Sequence, residues 1–283
     1  TVNFQLEQRG SVFVVFRSPT PAIDPVVALS HEGRQLWSLD PKADQPANRN
    51  ESPVPSATLS GSEANAVTLC VWEPGRYDLQ LASGKLKALE VPEIPAPQTI
   101  AGPWNVHFDP KAGGPGDVSF AQLEDWTKRP EDGIKYYSGT AIYKTTLTLD
   151  PAVAKADLIL DLGKVEVIAE VTLNGQNFGT LWKPPYRVYV SQAVRPGDNE
   201  LVVKVVNLWP NRQIGDEKLP EDSKRDADGT VTSWPEWLLK NEPSPTGRIA
   251  FATLRLWKKG EPLQPSGLLG PVTLRAAKRL EIQ

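Results

Sequence analysis

Two histidines, one cysteine and 34 acidic residues are the side chains of this 283-residue sequence best suited to move a proton, attack a carbonyl or hold a metal. A serine–histidine–aspartate relay needs an imidazole on which a hydroxyl and a carboxylate converge, and only His31 and His107 could supply it. His107 alternates with Val106 and Phe108 in WNVHF, which reads as a strand position with a structural or surface imidazole. Cys70 lies in AVTLCVW, where alternation points to a buried strand and an inert thiol. One cysteine forms no internal disulfide, and with two histidines it builds no structural zinc site. Glycoside hydrolysis needs two carboxylates about 5–10 Å apart across the scissile bond. Asp161 and Glu170 lie on or beside strand patterns, but no spacing pairs them, so they read as sheet-edge or turn-capping acids. No glycine loop suited to a phosphate is present.

The denser signal is NLWPNRQIGDEKLPED, residues 207–222. Trp209 offers a flat apolar face just before the directional donors Asn211 and Arg212, and Asp216 could hold Arg212 or accept from a hydroxyl. Sugar-binding sites set such aromatic faces against the apolar side of a ring and use planar polar groups for its hydroxyls. Nine tryptophans are available. Trp37, Trp72 and Trp257 sit in strand patterns and read as core, while Trp104 and Trp126 read as packing at a domain's edge. Trp182, Trp209, Trp234 and Trp237 lie in or beside loops and are candidates for a platform, with Lys183 and Tyr186 next to the first. The candidate carbohydrate-binding set is thus Trp182, Lys183, Tyr186, Trp209, Asn211, Arg212, Asp216, Trp234 and Trp237. Three readings of residues 207–222 stand side by side. They are a polar grip on a sugar, a structural clamp of Arg212 and Asp216 onto the sandwich, and a face turned toward another domain. DSKRDADG offers Asp222, Asp226 and Asp228 as weak calcium ligands, without the full acid spacing or the closing glutamate of a calcium loop. A solvated acidic loop is the plainer reading, so no cofactor is expected, with calcium the one metal in view.

Those residues must be positioned by short strands. With 21 glycines and 27 prolines, breakers come too often for long helices. PVVALS, RQLWSL, AVTLCVW, GRYDLQLA and KLKALEV follow a first strand pattern at SVFVVFR (11–17), with turn residues between them and a polar stretch at 41–55. VPEIPAPQTIAGP then carries Pro92, Pro95, Pro97 and Pro103, a stiff extended linker. Strand patterning restarts at WNVHF and continues through SGTAIYKTTLTL, ADLILDLG, VIAEVTLNG, QNFGTLW, YRVYV, NELVVKVVNLW, FATLRLW and PVTLRAAKRLEI. Helical spacing shows only at FAQLEDWTK and WPEWLLK, and residues 211–248 read as one long irregular stretch. Asn174-Gly175 is the strongest hairpin signal, since both residues tolerate positive φ. The expected fold is all-β with two β-sandwich domains, a small antiparallel one over residues 1–95 and a second over 102–283.

A formal net charge of −3 gives no electrostatic basis for a nucleic-acid or anionic-membrane partner, and no run of about 18 apolar residues occurs. The chain has no methionine, and TVNFQLEQ lacks a basic-then-apolar leader pattern, so the sequence reads as a mature or excised piece.

The second block resembles known proteins. VTLNGQNFGTLWKPPYRVYVSQAVRPGDNELVVKVVN, with Pro196, Gly197, Asn199, Leu201 and Val203 in its last part, resembles the galactose-binding-like jelly-roll attached to family 2 and other glycoside hydrolases. GPWNVHF, LEDWT, YYSGTAIYKTT, LDLGKVEVIAEVTLNG, GTLWKPPYRV, NLWPNRQIGD and PSGLLGPVTL together are similar to the C-terminal region of glycoside hydrolase family 106, the α-L-rhamnosidases. Gln213 departs from the leucine of that pattern. SVFVVFR resembles the sandwich that joins the family's catalytic barrel to its jelly-roll. The resemblance implies a non-catalytic, carbohydrate-binding accessory region, because the family's barrel and its catalytic glutamates have no positions in this sequence. It also implies a plant-type or rhamnose-containing glycan as partner, a catalytic barrel in the same parent protein, and a secreted or periplasmic location. A module that only braces a catalytic domain, or an independent glycoside hydrolase, are the alternatives.

Overall fold

The structure is a computed structural model and describes residues 24–40, 57–61 and 67–282. The expected strand at 11–17 and the polar stretch 41–55 lie outside the described residues. Within them the chain is all-β. A four-stranded antiparallel sheet runs Arg34–Ser38, Val26–His31, Gly75–Leu81, Leu86–Val91. In the third of these, Tyr77, Leu79 and Leu81 are buried and Arg76 and Gln80 are exposed, the period-two pattern of a strand with one dry face. That face meets Leu69, Val71, Val91 and Ile282 in a first core.

A larger core lies in the second block. One side is a six-stranded sheet ordered Gln176–Leu181, Ile168–Leu173, Gly197–Val206, Thr140–Leu149, Trp104–Phe108, Gly116–Phe120. The other is built on Arg187–Tyr189, Asp157–Asp161 and Thr273–Glu281. Val106, Phe108, Val171 and Val203 from the first meet Leu158, Leu160, Leu274 and Ala276 from the second. Each buried valine, leucine or phenylalanine among them contributes about 1.5–3 kcal/mol by leaving water. Trp104 and Trp126, expected at the edge, are fully buried in this core. The Trp126 ring meets Phe108 and Tyr137 edge-on, and its Nε1 donates to the Tyr143 hydroxyl at 2.5 Å.

The strand Thr273–Glu281 serves both blocks. Its first half pairs with Asp157–Asp161, from Thr273 opposite Asp161 to Ala277 opposite Asp157. Its second half pairs with Val67–Val71, from Lys278 opposite Val71 to Glu281 opposite Thr68. Strand pairing therefore bridges the proline-rich stretch at 92–103. Cys70, Trp72, Ile159 and Ala277 pack together where the two pairings meet.

The hairpin at Asn174-Gly175 has φ of 49° and 82° at its two central residues, with Leu173 opposite Gln176, as a type I′ turn requires. Asn199 shows what the PGDN run does in this fold. It is fully buried, and its amide donates to the carbonyls of Arg195 and Gly197. Its Oδ1 accepts from Arg195 N and from Asn174 Nδ2, tying one turn to the next.

Three local expectations need correction. Residues 210–216 form the α-helix Pro210–Asp216 instead of a loop, with proline in its first turn, where a missing N–H costs nothing. FATLRLW forms no strand; its one ladder contact is the isolated bridge from Leu254 to Thr230. FAQLEDWTK is not a helix: Phe120 ends a strand, and only Trp126–Lys128 makes a 3-10 turn, capped by Asp125. WPEWLLK does contain a helical turn, Glu236–Leu239.

Candidate functional site

Register places the candidate residues. Ala169 pairs with Leu181 on one side and Val205 on the other. The segments that begin at Trp182 and Asn207 therefore leave the same end of the six-stranded sheet, two strand spacings or about 10 Å apart. Trp182 and Trp209 are 56% and 58% exposed there, and Trp234, in the long excursion that follows, is 58% exposed. Trp234 lies tilted over Phe251 at 5.8 Å, and Trp237 meets the same ring edge-on at 5.9 Å. Trp237 is half-buried, and its Nε1 donates to the Asp222 carbonyl at 3.1 Å. Lys183 is half-buried. Tyr186 is buried, with its hydroxyl donating to Val167 O at 2.6 Å.

The polar members face inward. Asn211 Nδ2 donates to Gln264 O at 2.7 Å and to Ser266 Oγ at 3.0 Å, while its Oδ1 accepts from Gln264 N at 2.8 Å. Asp216 Oδ2 accepts from the backbone N–H groups of Ile249 and Ala250 at 2.9 and 2.8 Å. Arg212 Nε stands 3.0 Å from Asp216 Oδ1, off line for a hydrogen bond, so the contact is an ion pair without the added directional gain. Arg248 completes the fastening, reaching Glu217 at 2.9 Å and the carbonyls of Leu219 and Pro220. These bonds hold residues 217–266 against the sheet end. Asn211, Arg212 and Asp216 are buried, and their contacts build a structural clamp.

The acids are likewise occupied. Asp222 accepts from Ser244 Oγ at 2.6 Å, and Asp226 Oδ1 accepts from the N–H groups of Asp228 and Thr230 at 3.1 and 2.9 Å, closing its own turn. Among the described residues no three histidine, cysteine, aspartate or glutamate side chains gather as a metal site, and Asp222, Asp226 and Asp228 do not converge. Asp161 pairs with Arg187 at 2.7 Å and accepts from Gly163 N at 2.9 Å, and Glu170 pairs with Lys204 across strands at 2.7 Å. His107 stands 2.8 Å from Asp117 on the neighbouring edge strand. His31 stacks on Tyr77 at 4.4 Å between ring centres.

Sequence reasoning passed over the exposed aliphatic residues. Leu208, Leu239, Leu254 and Leu256 are all exposed. Leu208 carried a usable signal, since it stands beyond the last alternating position of NELVVKVV and beside an exposed tryptophan.

Residues 126–236 match the family described as glycosyl hydrolase 2 galactose-binding domain-like. Residues 126–236 are thus similar to a galactose-binding-like domain of the glycosyl hydrolase 2 type. That domain contains the Asn174-Gly175 turn, Asn199 and the helix Pro210–Asp216. A curated protein of Formosa agariphila, named "Putative beta-glucuronidase", is 40% identical over 251 residues, covering 88% of this chain and 21% of that protein. The chain thus spans about a fifth of the length of the curated relative it matches. Among solved structures, the rhamnosidase from Novosphingobium sp. PP1Y superposes with a TM-score of 0.52 at 24% identity, over 80% of this chain and 25% of that one, a likeness of fold. A Ruminococcus gnavus beta-glucuronidase aligns over 40% of this chain and 21% of its own, at 23% identity and a TM-score of 0.35.

Proposed function

We propose that this chain is a non-catalytic carbohydrate-binding accessory region of an α-L-rhamnosidase-like glycoside hydrolase, secreted or periplasmic, working beside a catalytic barrel of the same polypeptide. The observation that carries this reading is the exposure of Trp182, Trp209 and Trp234 on a domain of galactose-binding type. Indole faces left in water suit the apolar side of a sugar ring, and Trp182 and Trp209 leave the same sheet end. Arg212 and Asp216 are occupied by the clamp, so the aromatic planes must supply most of the affinity. Each sugar hydrogen bond adds only about 1 kcal/mol net, because hydroxyls compete with water. Binding is then weak, on the order of micromolar to millimolar.

Calorimetry against rhamnose-containing plant oligosaccharides tests this. Trp182→Ala and Trp209→Ala should each cost about 2 kcal/mol of binding while the protein stays folded; unchanged isotherms in both variants would sink the platform. The chain should also show no turnover of aryl α-L-rhamnosides or aryl β-glucuronides above a buffer blank. Turnover that vanishes when an aspartate or glutamate is substituted would establish an independent hydrolase instead.

A second reading has its own support. Leu208, Leu239, Leu254 and Leu256 are exposed as well, and aliphatic side chains left in water suit a protein face better than a sugar. If the chain is silent toward every such glycan, bracing of a catalytic domain takes the place of binding. Leu254→Asp should then lower the melting temperature of the longer protein and leave this chain's own unchanged.

A further inference from the structure

The surface also holds a depression of about 500 Å³ between the turn at 122–128, Lys164 and the segment 265–269, lined by none of the exposed tryptophans. Its size falls within the range of about 300–1,000 Å³ usual for small-molecule sites. Leu123, Pro265 and Leu269 give it apolar wall, and Gln122, Lys128 and Lys164 give it exposed amide and ammonium groups. Its two remaining polar residues are Glu124 and Asp125, and Lys164 pairs with Glu166 at 3.2 Å just outside the lining.

The walls are fixed to one another. Asp125 Oδ1 accepts from Thr127 N on its own turn and from Ser266 N on the opposite segment, at 3.0 and 3.1 Å. Trp126 N donates to Ser266 O at 3.1 Å, and the buried Trp126 ring lies so close to Gly267 that a Cβ there would come within 2.4 Å of its Nε1. Glu124 is held by Arg129 at 2.9 Å. A hollow braced in this way needs little ordering when a ligand enters, which removes one of the main costs of binding.

We infer that this depression is a second carbohydrate subsite, separate from the tryptophan surface, that takes a single neutral pyranose ring. The inference rests on the carbohydrate-binding reading above for its ligand class. Mixed walls favour a ligand that is apolar on one face and hydroxylated at its edge. The charges are already paired, Glu124 with Arg129 and Lys164 with Glu166, which favours a neutral ring over a uronate that would have to compete with Glu166 for Lys164. Gln122 can both donate and accept, and Lys128 and Lys164 donate to ring hydroxyls.

The test is an amide-shift titration of the labelled chain by nuclear magnetic resonance. The probes are methyl α-L-rhamnopyranoside, methyl β-D-galactopyranoside and methyl β-D-glucopyranoside, with sodium glucuronate as the charged comparison. At least one neutral glycoside should move amides at 122–128, 164 and 265–269 in the millimolar range. The double variant Lys128→Ala, Lys164→Ala, altered only at exposed side chains, should weaken those shifts by about tenfold, the scale of one lost charge-assisted contact. Trp182→Ala should leave them unchanged. Shifts confined to residues near 182, 209 and 234 would overturn this subsite and leave the proposed function standing. Glucuronate moving these amides while no neutral glycoside does would overturn the neutral ring. No shift anywhere with any sugar would overturn both readings.

Discussion

Asp216 shows how much one buried carboxylate can hold. Its side chain is 2% exposed, and it accepts from two backbone N–H groups of the returning segment and pairs as an ion with the Arg212 guanidinium. Asp216→Ala leaves a buried arginine without its counter-charge, and such losses cost about 3–5 kcal/mol. The urea midpoint should fall accordingly, and hydrogen exchange should rise first at 249–250; an unchanged midpoint would show that water replaces the carboxylate at no cost. Gly175 tests the backbone instead. A Cβ there meets nothing within 4 Å, so any penalty is conformational and not steric. Gly175→Val, at φ 82°, should lower stability by at least about 1 kcal/mol, the scale of a strained φ/ψ. Gly175→Asn should cost less, because asparagine tolerates the left-handed region.

At the scale of elements, period-two alternation made most strands legible. WNVHF buries Trp104, Val106 and Phe108, and IAEVTL buries Ala169, Val171 and Leu173. The hairpin could be read because Asn-Gly states its own backbone requirement. The helix Pro210–Asp216 could not. Seven residues carry too little periodicity to announce a helix, and its polar side chains are bound by Gln264 and Ser266, more than fifty positions away. FATLRLW misled for the converse reason. It alternates like a strand, but Arg225 rather than a neighbouring ladder takes the Ala252 carbonyl. Of the candidate site, the loop tryptophans were legible as exposed aromatics, whereas the inward turn of Asn211 and Asp216 depended on contacts that no local pattern encodes. The strand Val67–Val71 carries a prediction of its own. Burial pushes the Cys70 thiol above its ordinary range, with a hydrogen bond to Tyr189 acting weakly against it. The reactive thiolate is therefore scarce at neutral pH, and raising the pH only begins to supply it beyond the ordinary cysteine range. Iodoacetamide at pH 8 should leave the native chain unmodified and alkylate one site per chain in guanidinium chloride; rapid native labelling would contradict the packing of this strand.

For the whole molecule, the strand Thr273–Glu281 decides whether the two blocks are separable. Ile282, just beyond it, is 4% exposed within the first core, and its N–H donates to Val67 O at 2.7 Å while its carbonyl accepts from Lys87 Nζ. Ile282→Asp buries a charge among apolar side chains, which the fold avoids by opening locally. Limited proteolysis should then cut within residues 24–91 while the core around Trp126 stays protected. Equal resistance of variant and parent would mean that the first sandwich closes without its last strand.

That shared strand also sets an order of events during synthesis. The ribosome delivers Val67–Val71 roughly 200 residues before the partner with which they pair, at a rate near 5–20 residues per second. For some tens of seconds the nascent first sandwich presents an unfilled edge, the kind of edge on which chains associate wrongly. Within this chain, the first block to be made is among the last to be finished.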